Sequence, residues 1–464
     1  MLKIKNFGIT YQEKPIFEEI NLEVQRGELL VISGTSGCGK SSLLKAINGI
    51  LEETDGVQLS GDIEFDGKSI LTTSISHRSK YVSTVFQNPK TQFYCINTTD
   101  ELAFALENRN LQRDKIVETI EEYTTRLHTK HLLNRNIFAL SGGEKQLVAI
   151  TSTACMNNQI YLFDEPSASL DKASITLLKD ILLQLKHMGK IVIVAEHRLY
   201  YLTDIMSKLM VIRSNRAKVF DGISSQKSLL CEIEKECGLR SFKEITKADL
   251  NHLELHTISL NRGKRYENND SVLSCRDFIA RYNKQKILEM SLSFSSGIHF
   301  IIGENGVGKS TFIKKLSGLL KGKGKCFFEG KRITKSYEYI SMVMQDVNYQ
   351  LFTESVWQEI SIVSSDDALK KSVLEELDLY DKKDCHPQIL SGGEKQRLLI
   401  GLAKISDRSI VILDEPTSGL CKAKMIKMID YLHEMNSMGK VVIVITHDYE
   451  LIHKCGGTVL EFVR

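Results

Sequence analysis

VISGTSGCGKSSLLKAINGI (residues 31–50) and FIIGENGVGKSTFIKKLSGLL (residues 300–320) each read as an apolar strand, a glycine loop and a helix. Three further segments return in the same order: LSGGE at 140–144 and 390–394, DEP at 164–166 and 414–416, and a His closing an apolar run at 197 and 447. Ser141 to Ser391, Glu165 to Glu415 and His197 to His447 are each separated by 250 residues, whereas Lys40 and Lys309 are 269 apart. One interval held across several motifs marks a duplicated unit. The 19 additional residues of the first copy fall between its glycine loop and its Ser-Gly-Gly. The first copy is therefore expected to span 1–222 and the second 271–464. The 48 residues between, 223–270, are mixed-charge and end in an Asn-rich run, which suits a surface linker with some helical periodicity. Short β-rich runs followed by helical segments predict an α/β fold around a largely parallel sheet in each copy.

The bulk properties agree with two globular units. A chain of 464 residues has length for roughly two to four domains, each able to bury its own core. With 61 Lys and Arg against 58 Asp and Glu, the net charge of +3 offers no basic field for nucleic acid. The longest apolar runs, IVIVA (191–195) and VVIVI (441–445), are strand-length, far short of the ~20 residues that span a bilayer. The opening MLKIKNFGITY has no apolar signal core and reads as a first strand. Ten Cys without a C-x-x-C pair argue for reduced thiols and against a metal or disulfide framework. The expectation is a soluble intracellular protein.

Gly34-Thr35-Ser36-Gly37-Cys38-Gly39-Lys40-Ser41 and Gly303-Glu304-Asn305-Gly306-Val307-Gly308-Lys309-Ser310 both fit G-x-x-x-x-G-K-[ST], with Ser42 and Thr311 next in line. Glycines let backbone N–H groups wrap an anion, and the helix N-terminus that follows holds the phosphates. Lys40 and Lys309 are placed for the β- and γ-phosphates, and Ser41 and Ser310 for Mg2+. Asp164 and Asp414 end apolar strands where a carboxylate can hold the Mg2+ shell. Glu165 and Glu415 come next and alternate to another side of the pleat, where each can polarise an attacking water. His197 and His447 each follow that Glu by 32 residues, an interval that points to contact with the γ-phosphate. Gln87 and Gln345 close the short strands YVSTVFQ and YISMVMQ and can sense Mg2+ and the water.

Ser141 to Glu144 and Ser391 to Glu394 form capping-box patterns. Gly142-Gly143 and Gly392-Gly393 bare backbone amides at those helix N-termini, a second anion site in each copy. A half that already grips phosphate with its own loop has no need of another. The economical resolution is that each Ser-Gly-Gly helix serves the nucleotide of the opposite half.

Glycine loop (Walker A), Gln loop, LSGGE signature, Walker B with its adjacent Glu, and His switch, in that order and twice over, resemble the ATP-binding-cassette ATPases. The resemblance covers about 1–222 and 271–464. It implies a RecA-like α/β core in each copy, with an antiparallel β subdomain and a helical signature subdomain, and two ATPs between head-to-tail cassettes. Carried over, Gly34 to Ser41, Gln87, Asp164, Glu165 and His197 would face Ser391, Gly392 and Gly393. Gly303 to Ser310, Gln345, Asp414, Glu415 and His447 would face Ser141, Gly142 and Gly143. Tyr11 and Tyr282 precede the loops and are candidates to stack on adenine, or are core residues. One position departs from the pattern: SASLD has Asp171, where the second copy has Cys421 in SGLC. That departure predicts unequal hydrolysis at the two sites.

Three members of that family compete. The segments FQNPKTQFY (86–94), MQDVNYQLFTESVWQEI (344–360) and AEHRLYYL (195–202) resemble the fused ATPase pair of an energy-coupling-factor importer of vitamins or transition-metal ions. Its partners would be a membrane scaffold (T-type) subunit and a substrate-binding (S-type) membrane subunit, with the ATPase peripheral at the cytoplasmic face of a prokaryotic membrane. Gln92 and Gln350, each five residues past the loop Gln and followed by Phe93 and Leu351-Phe352, are either a groove for scaffold helices or ordinary core. A sugar-importer ATPase is the second reading, against which stand two intact glycine loops. The third, a ribosome-bound cassette factor, calls for a longer and more charged arm than 223–270.

Overall fold

The computed structural model describes residues 1–168, 170–224, 226–260, 265–266, 270–282 and 285–464. They divide into two compact units, Met1–Glu244 with Gly419–Ala423, and Ile245–Ser418 with Lys424–Arg464.

The first unit is built on a six-stranded sheet in the order Arg216–Asp221, Lys208–Arg213, Leu29–Gly34, Ile191–Ala195, Ile160–Asp164, Val82–Val85. Only Arg216–Asp221 runs antiparallel to its neighbour. Strands covered on both faces read as unbroken apolar runs, because alternate side chains enter two different cores. Leu29 and Val31, Tyr161 and Phe163, and Val192 and Val194 pack with the helices on one face. Leu30 and Ile32, Ile160 and Leu162, and Ile191 and Ile193 pack on the other face against helix Lys40–Asn48 and an antiparallel sheet. That second sheet runs Lys14–Val24, Leu2–Tyr11, Val57–Phe65, Lys68–Ser69, so the opening residues do form a strand. Helices Thr98–Glu107, Arg113–Arg126 and Gly142–Cys155 make the helical part.

The C-terminus of helix Lys40–Asn48 is closed by two devices. Gly49 turns left-handed at φ 94°. The fully buried Arg78 donates from Nη1 to Ala46 O (2.9 Å), from Nε to Thr73 O (3.1 Å) and from Nη2 to Glu52 Oε1 (2.6 Å).

The second unit repeats the plan. Its sheet, Leu255–Ser259, Thr458–Val463, Gly297–Ile302, Val441–Ile445, Ile410–Asp414, Ile340–Val343, is parallel throughout. Beside it lie the antiparallel strands Gln285–Ser295, Ser271–Tyr282, Gly322–Phe328 and Lys331–Ile333, with the short Arg265–Tyr266 parallel at the edge. Helices Val356–Ser361, Asp367–Glu376 and Gly392–Ile405 match the helical part.

The stretch 223–270 carries more structure than a linker needs. Helix Lys227–Cys237 buries Leu230 and Ile233 in the core of the first unit, joined by Leu239 and Phe242. Leu255–Ser259 adds an edge strand to the second sheet. Leu230 and Ile233, three residues apart on one helix face, with Leu239 and Phe242 after the helix, are the physical reason the segment is ordered.

Candidate functional site

Each glycine loop leaves a buried strand and opens a helix. A Cβ on Gly34, at φ 150°, would lie 2.2 Å from Ile212 O, and one on Gly303, at φ 141°, 2.5 Å from Phe462 O. Only glycine lets the chain turn so close to the neighbouring strand. Helices Lys40–Asn48 and Lys309–Leu316 start with no side-chain cap and no acidic residue in the first turn. Their first N–H groups, at the positive end of the helix dipole, are therefore open to an anion. Within the loops, Cys38 packs against the core and Val307 is buried in it, so these two serve packing.

In the first unit the predicted side chains converge. Lys40 Nζ donates to His197 Nε2 (2.9 Å), Ser41 Oγ to Asp164 Oδ1 (3.0 Å) and Gln87 Nε2 to Glu165 Oε2 (2.8 Å). His197 Nε2 stands 3.6 Å from Glu165 Oε1. These residues follow four adjacent parallel strands, at the carboxyl ends where α/β sheets bind ligands. An ammonium can only donate, so His197 Nε2 is the acceptor in this arrangement. Burial pushes the Glu165 carboxyl up to about 8, opposed by Lys40 and reinforced by Glu196 and Asp164. Burial also raises Asp164, against the Ser41 hydrogen bond and Lys40. Two neighbouring buried carboxyls that resist ionisation suit a site completed by a cation. A hydroxyl and a carboxylate at bonding distance are the hard oxygen donors that Mg2+ takes, so Ser41 and Asp164 fit it.

The second unit has the same plan with different bonds. Lys309 Nζ donates to Gly303 O (2.6 Å) and Glu304 O (2.9 Å) and lies 3.2 Å from His447 Nε2. That nitrogen is also 3.2 Å from Asn305 Oδ1 and 3.7 Å from Glu415 Oε1. Burial pushes Asp414 up to about 6, opposed by Lys309 and Lys314. Ser310 and Gln345 are exposed. Glu165 and Glu415 both adopt left-handed backbone, φ 47° and 51°, while their N–H groups still donate across the sheet to Ala195 O (2.8 Å) and Ile445 O (2.9 Å). Such a conformation is uncommon for a non-glycine residue and is maintained at sites that require it.

Ser141 and Ser391 form complete capping boxes. Ser141 N–H donates to Glu144 Oε2 (2.8 Å) and Glu144 N–H returns to Ser141 Oγ (3.2 Å); in the other copy the distances are 2.9 and 3.4 Å. A Cβ on Gly392 or Gly393 would meet nothing within 4 Å, so packing within the fold does not demand glycine at either position. Tyr11 ends its strand exposed, which removes the core alternative for it. The side chain of Tyr282 lies outside the described residues.

Gln92 and Gln350 resolve in one way in both copies. Gln92 Oε1 accepts from Phe86 N–H (3.0 Å) and Nε2 donates to Thr84 O (3.0 Å). Gln350 Oε1 accepts from Met344 N–H and Nε2 donates to Met342 O, each at 2.7 Å. Each side-chain amide thus extends the strand ahead of the loop glutamine. Phe93 packs against the first core, and the exposed groups are its neighbours instead. Tyr94 (77% exposed) in the first copy corresponds in register to Phe352 (74%) in the second, and Phe138 and Ile389 (both 77%) stand exposed three and two residues ahead of Ser141 and Ser391.

Sequence reasoning missed Glu196. Buried beside Glu165, it accepts from His197 N–H (2.7 Å), Arg198 N–H (3.1 Å), Ser167 N–H (3.3 Å) and Tyr201 OH (3.0 Å). At the matching position Thr446 donates from Oγ1 to Glu415 Oε2 at 3.4 Å. The contrast between AEHR and ITHD was the available signal.

The sequence pattern of the ABC transporter family matches residues 17–168 and 287–418, the two loop-bearing regions. A provisionally named ABC transporter ATP-binding protein of Treponema denticola is 33% identical over 471 residues, covering 97% of this chain and 93% of that protein. A Bacillus subtilis (strain 168) protein provisionally named as the HMP/thiamine import ATP-binding protein YkoD is 29% identical over 492 residues, covering 99% and 89%. Among solved structures, the archaeal ribosome recycling factor aABCE1, in complex with ribosomal stalk protein aP1, superposes with a TM-score of 0.61 at 21% identity, covering 95% of this chain and 84% of that one, a likeness of fold. Two phosphate loops with their buried acids, two regions that fit one family pattern and a near-full-length relative above 30% identity have one explanation: the chain belongs to the ABC transporter family, as an ATP-hydrolysing protein with two ATPase domains.

Proposed function

We propose that this chain is the fused ATPase pair of an energy-coupling-factor importer, working peripherally at the cytoplasmic face of a prokaryotic membrane to drive uptake of a vitamin or transition-metal ion. Residues 1–222 and 271–464 are its two cassettes in this reading. The observation that carries it is the exposed aromatic seven residues beyond each loop glutamine, Tyr94 and Phe352, with Phe138 and Ile389 exposed just ahead of each Ser-Gly-Gly. Large side chains this exposed on a helical region suit burial by an apolar partner. Gln92 and Gln350 tie that region to the strand end bearing Gln87 and Gln345, a path from docking surface to catalytic site. The similarity to a relative named for HMP/thiamine import supports the micronutrient class.

In this reading Lys40 and Lys309 hold the β- and γ-phosphates. Ser41 with Asp164, and Ser310 with Asp414, hold Mg2+, which neutralises phosphate charge; Gln87 and Gln345 face it and the attacking water. Glu165 and Glu415 polarise that water, and His197 and His447 contact the γ-phosphate. Ser141, Gly142 and Gly143 complete the second copy's site, and Ser391, Gly392 and Gly393 the first's; the open space beside Gly392 and Gly393 supports close approach there. ATP favours the closed pair because it adds contacts that exist only when the halves meet. Closure and reopening move a T-type scaffold, which tips an S-type substrate subunit.

Extraction in mild detergent tests this. A multispanning membrane protein should co-purify with the chain, and Tyr94→Ser with Phe352→Ser should reduce its recovery while leaving basal ATPase intact. Recovery with ribosomes and no membrane protein would overturn the reading.

A further inference from the structure

Cys275 and Cys326 face each other across the antiparallel pair Ser271–Tyr282 and Gly322–Phe328, as direct register partners with Sγ atoms 3.9 Å apart. We propose that these two cysteines are a dithiol modification site of the second cassette, oxidised to an intramolecular disulfide by hydroperoxides. Directly opposed residues of an antiparallel pair have Cα atoms about 4.5–5.5 Å apart, inside the range a disulfide bridges without backbone movement. Only side-chain rotation is needed to bring the sulfurs to bonding distance.

The first cassette supplies an internal comparison. Its corresponding register pair is Ile4 and Ile63, both buried, two residues in from Leu2↔Phe65 just as the cysteines lie two in from Leu273↔Phe328. An apolar pair therefore satisfies this position, and packing alone does not ask for thiols on both strands.

The two sulfurs are also unlike. Cys275 is buried, and the contact with Cys326 together with burial raises its thiol. Cys326 is partly accessible. The hydrogen bond with Cys275 lowers its thiol, burial opposes, and the Lys315 ammonium, 4.3 Å from the Phe278 ring centroid, adds to the lowering. The more accessible sulfur is thus the one better able to react as thiolate.

The chemistry balances with the oxidant named. Cys326 thiolate attacks one peroxide oxygen: an S–O bond forms, the O–O bond breaks, and hydroxide or alkoxide leaves and takes a proton. The resulting sulfenic acid is attacked by Cys275 sulfur: the S–S bond forms, the S–O bond breaks, and the hydroxyl leaves with the thiol proton as water. Two electrons pass from the thiols to the peroxide, and dithiothreitol reverses the change.

The test uses the full chain. Reduced protein is treated with hydrogen peroxide, alkylated, digested without reductant and analysed by mass spectrometry. A Cys275–Cys326 linked peptide, two hydrogens lighter and lost on reduction, is expected. Closing a loop between residues 51 apart should also raise Tm by several degrees in oxidised over reduced protein. Cys275→Ile with Cys326→Ile, which installs the first cassette's pair, should abolish both readouts, and Cys231→Ser should alter neither. If the double variant does not fold, the oxidised and reduced wild-type chains decide alone. Oxidation of exposed Cys231 with Cys275 and Cys326 both recovered as free thiols would overturn the proposal.

Discussion

Glu196 is a buried carboxylate whose hydrogen bonds fix the backbone around His197 in one cassette. Its two oxygens gather the N–H groups of Ser167, His197 and Arg198 and the Tyr201 hydroxyl. Removing a buried acceptor strands its donors, at roughly 1–3 kcal/mol for each group left unpaired. Glu196→Ala should therefore destabilise the first unit by about 3 kcal/mol in urea unfolding. It should also lower ATPase activity measured in a Glu415→Gln background, because His197 loses the bond that holds its backbone. Thr446→Ala in a Glu165→Gln background should have the smaller effect, since Thr446 Oγ1 donates to Glu415 Oε2 at 3.4 Å and accepts from Asp448 N–H at 3.0 Å, fewer bonds than Glu196 gathers.

Among the elements, helix Lys40–Asn48 shows how an uncapped N-terminus behind a glycine loop is sustained. Its stability comes from the other end, where Arg78 meets the Ala46 carbonyl and the negative end of the dipole. Arg78→Leu removes those bonds and leaves Glu52 without its cation, which should cost about 2–3 kcal/mol. Thermal melting should report this as a lower Tm, and nucleotide affinity should fall with it. The glycine loop, its strand and its helix were legible from spacing, since each glycine answers a steric need. Arg78 was not legible: a lone Arg in SHRSK carries no periodic signal, and its burial follows from tertiary packing. Helix Lys227–Cys237 had the periodicity of a packed helix, but the mixed charge around it read as a linker.

For the molecule as a whole, the two copies share a plan but differ in bonds at their reacting ends. The acids and histidines were readable because the repeat fixed their intervals, and the lysines because each closes a glycine loop of the same form. Partners such as Glu196, at a position where the copies diverge, were not. The divergence gives physical grounds, beyond Cys421, for unequal sites. Asp171 caps helix Lys172–His187 by accepting from Ser174 N–H (2.9 Å), a task for which the Cys421 thiol is a poor acceptor. Glu165→Gln and Glu415→Gln should consequently reduce steady-state ATPase by different factors, and equal losses would show that the sites work alike.

Strand order also dictates when each half can assemble. In the first unit the strand beside Leu29–Gly34, Lys208–Arg213, takes its outer neighbour from the hairpin that follows it. In the second, Thr458–Val463 must slot between Gly297–Ile302 and Leu255–Ser259, two strands made long before it. During synthesis the leading half can mature while translation continues, but the trailing half keeps an open gap in its sheet until residue 463 has cleared the ribosome. That interval of unpaired backbone is where a chaperone would be most needed, and where a premature stop would do the greatest harm.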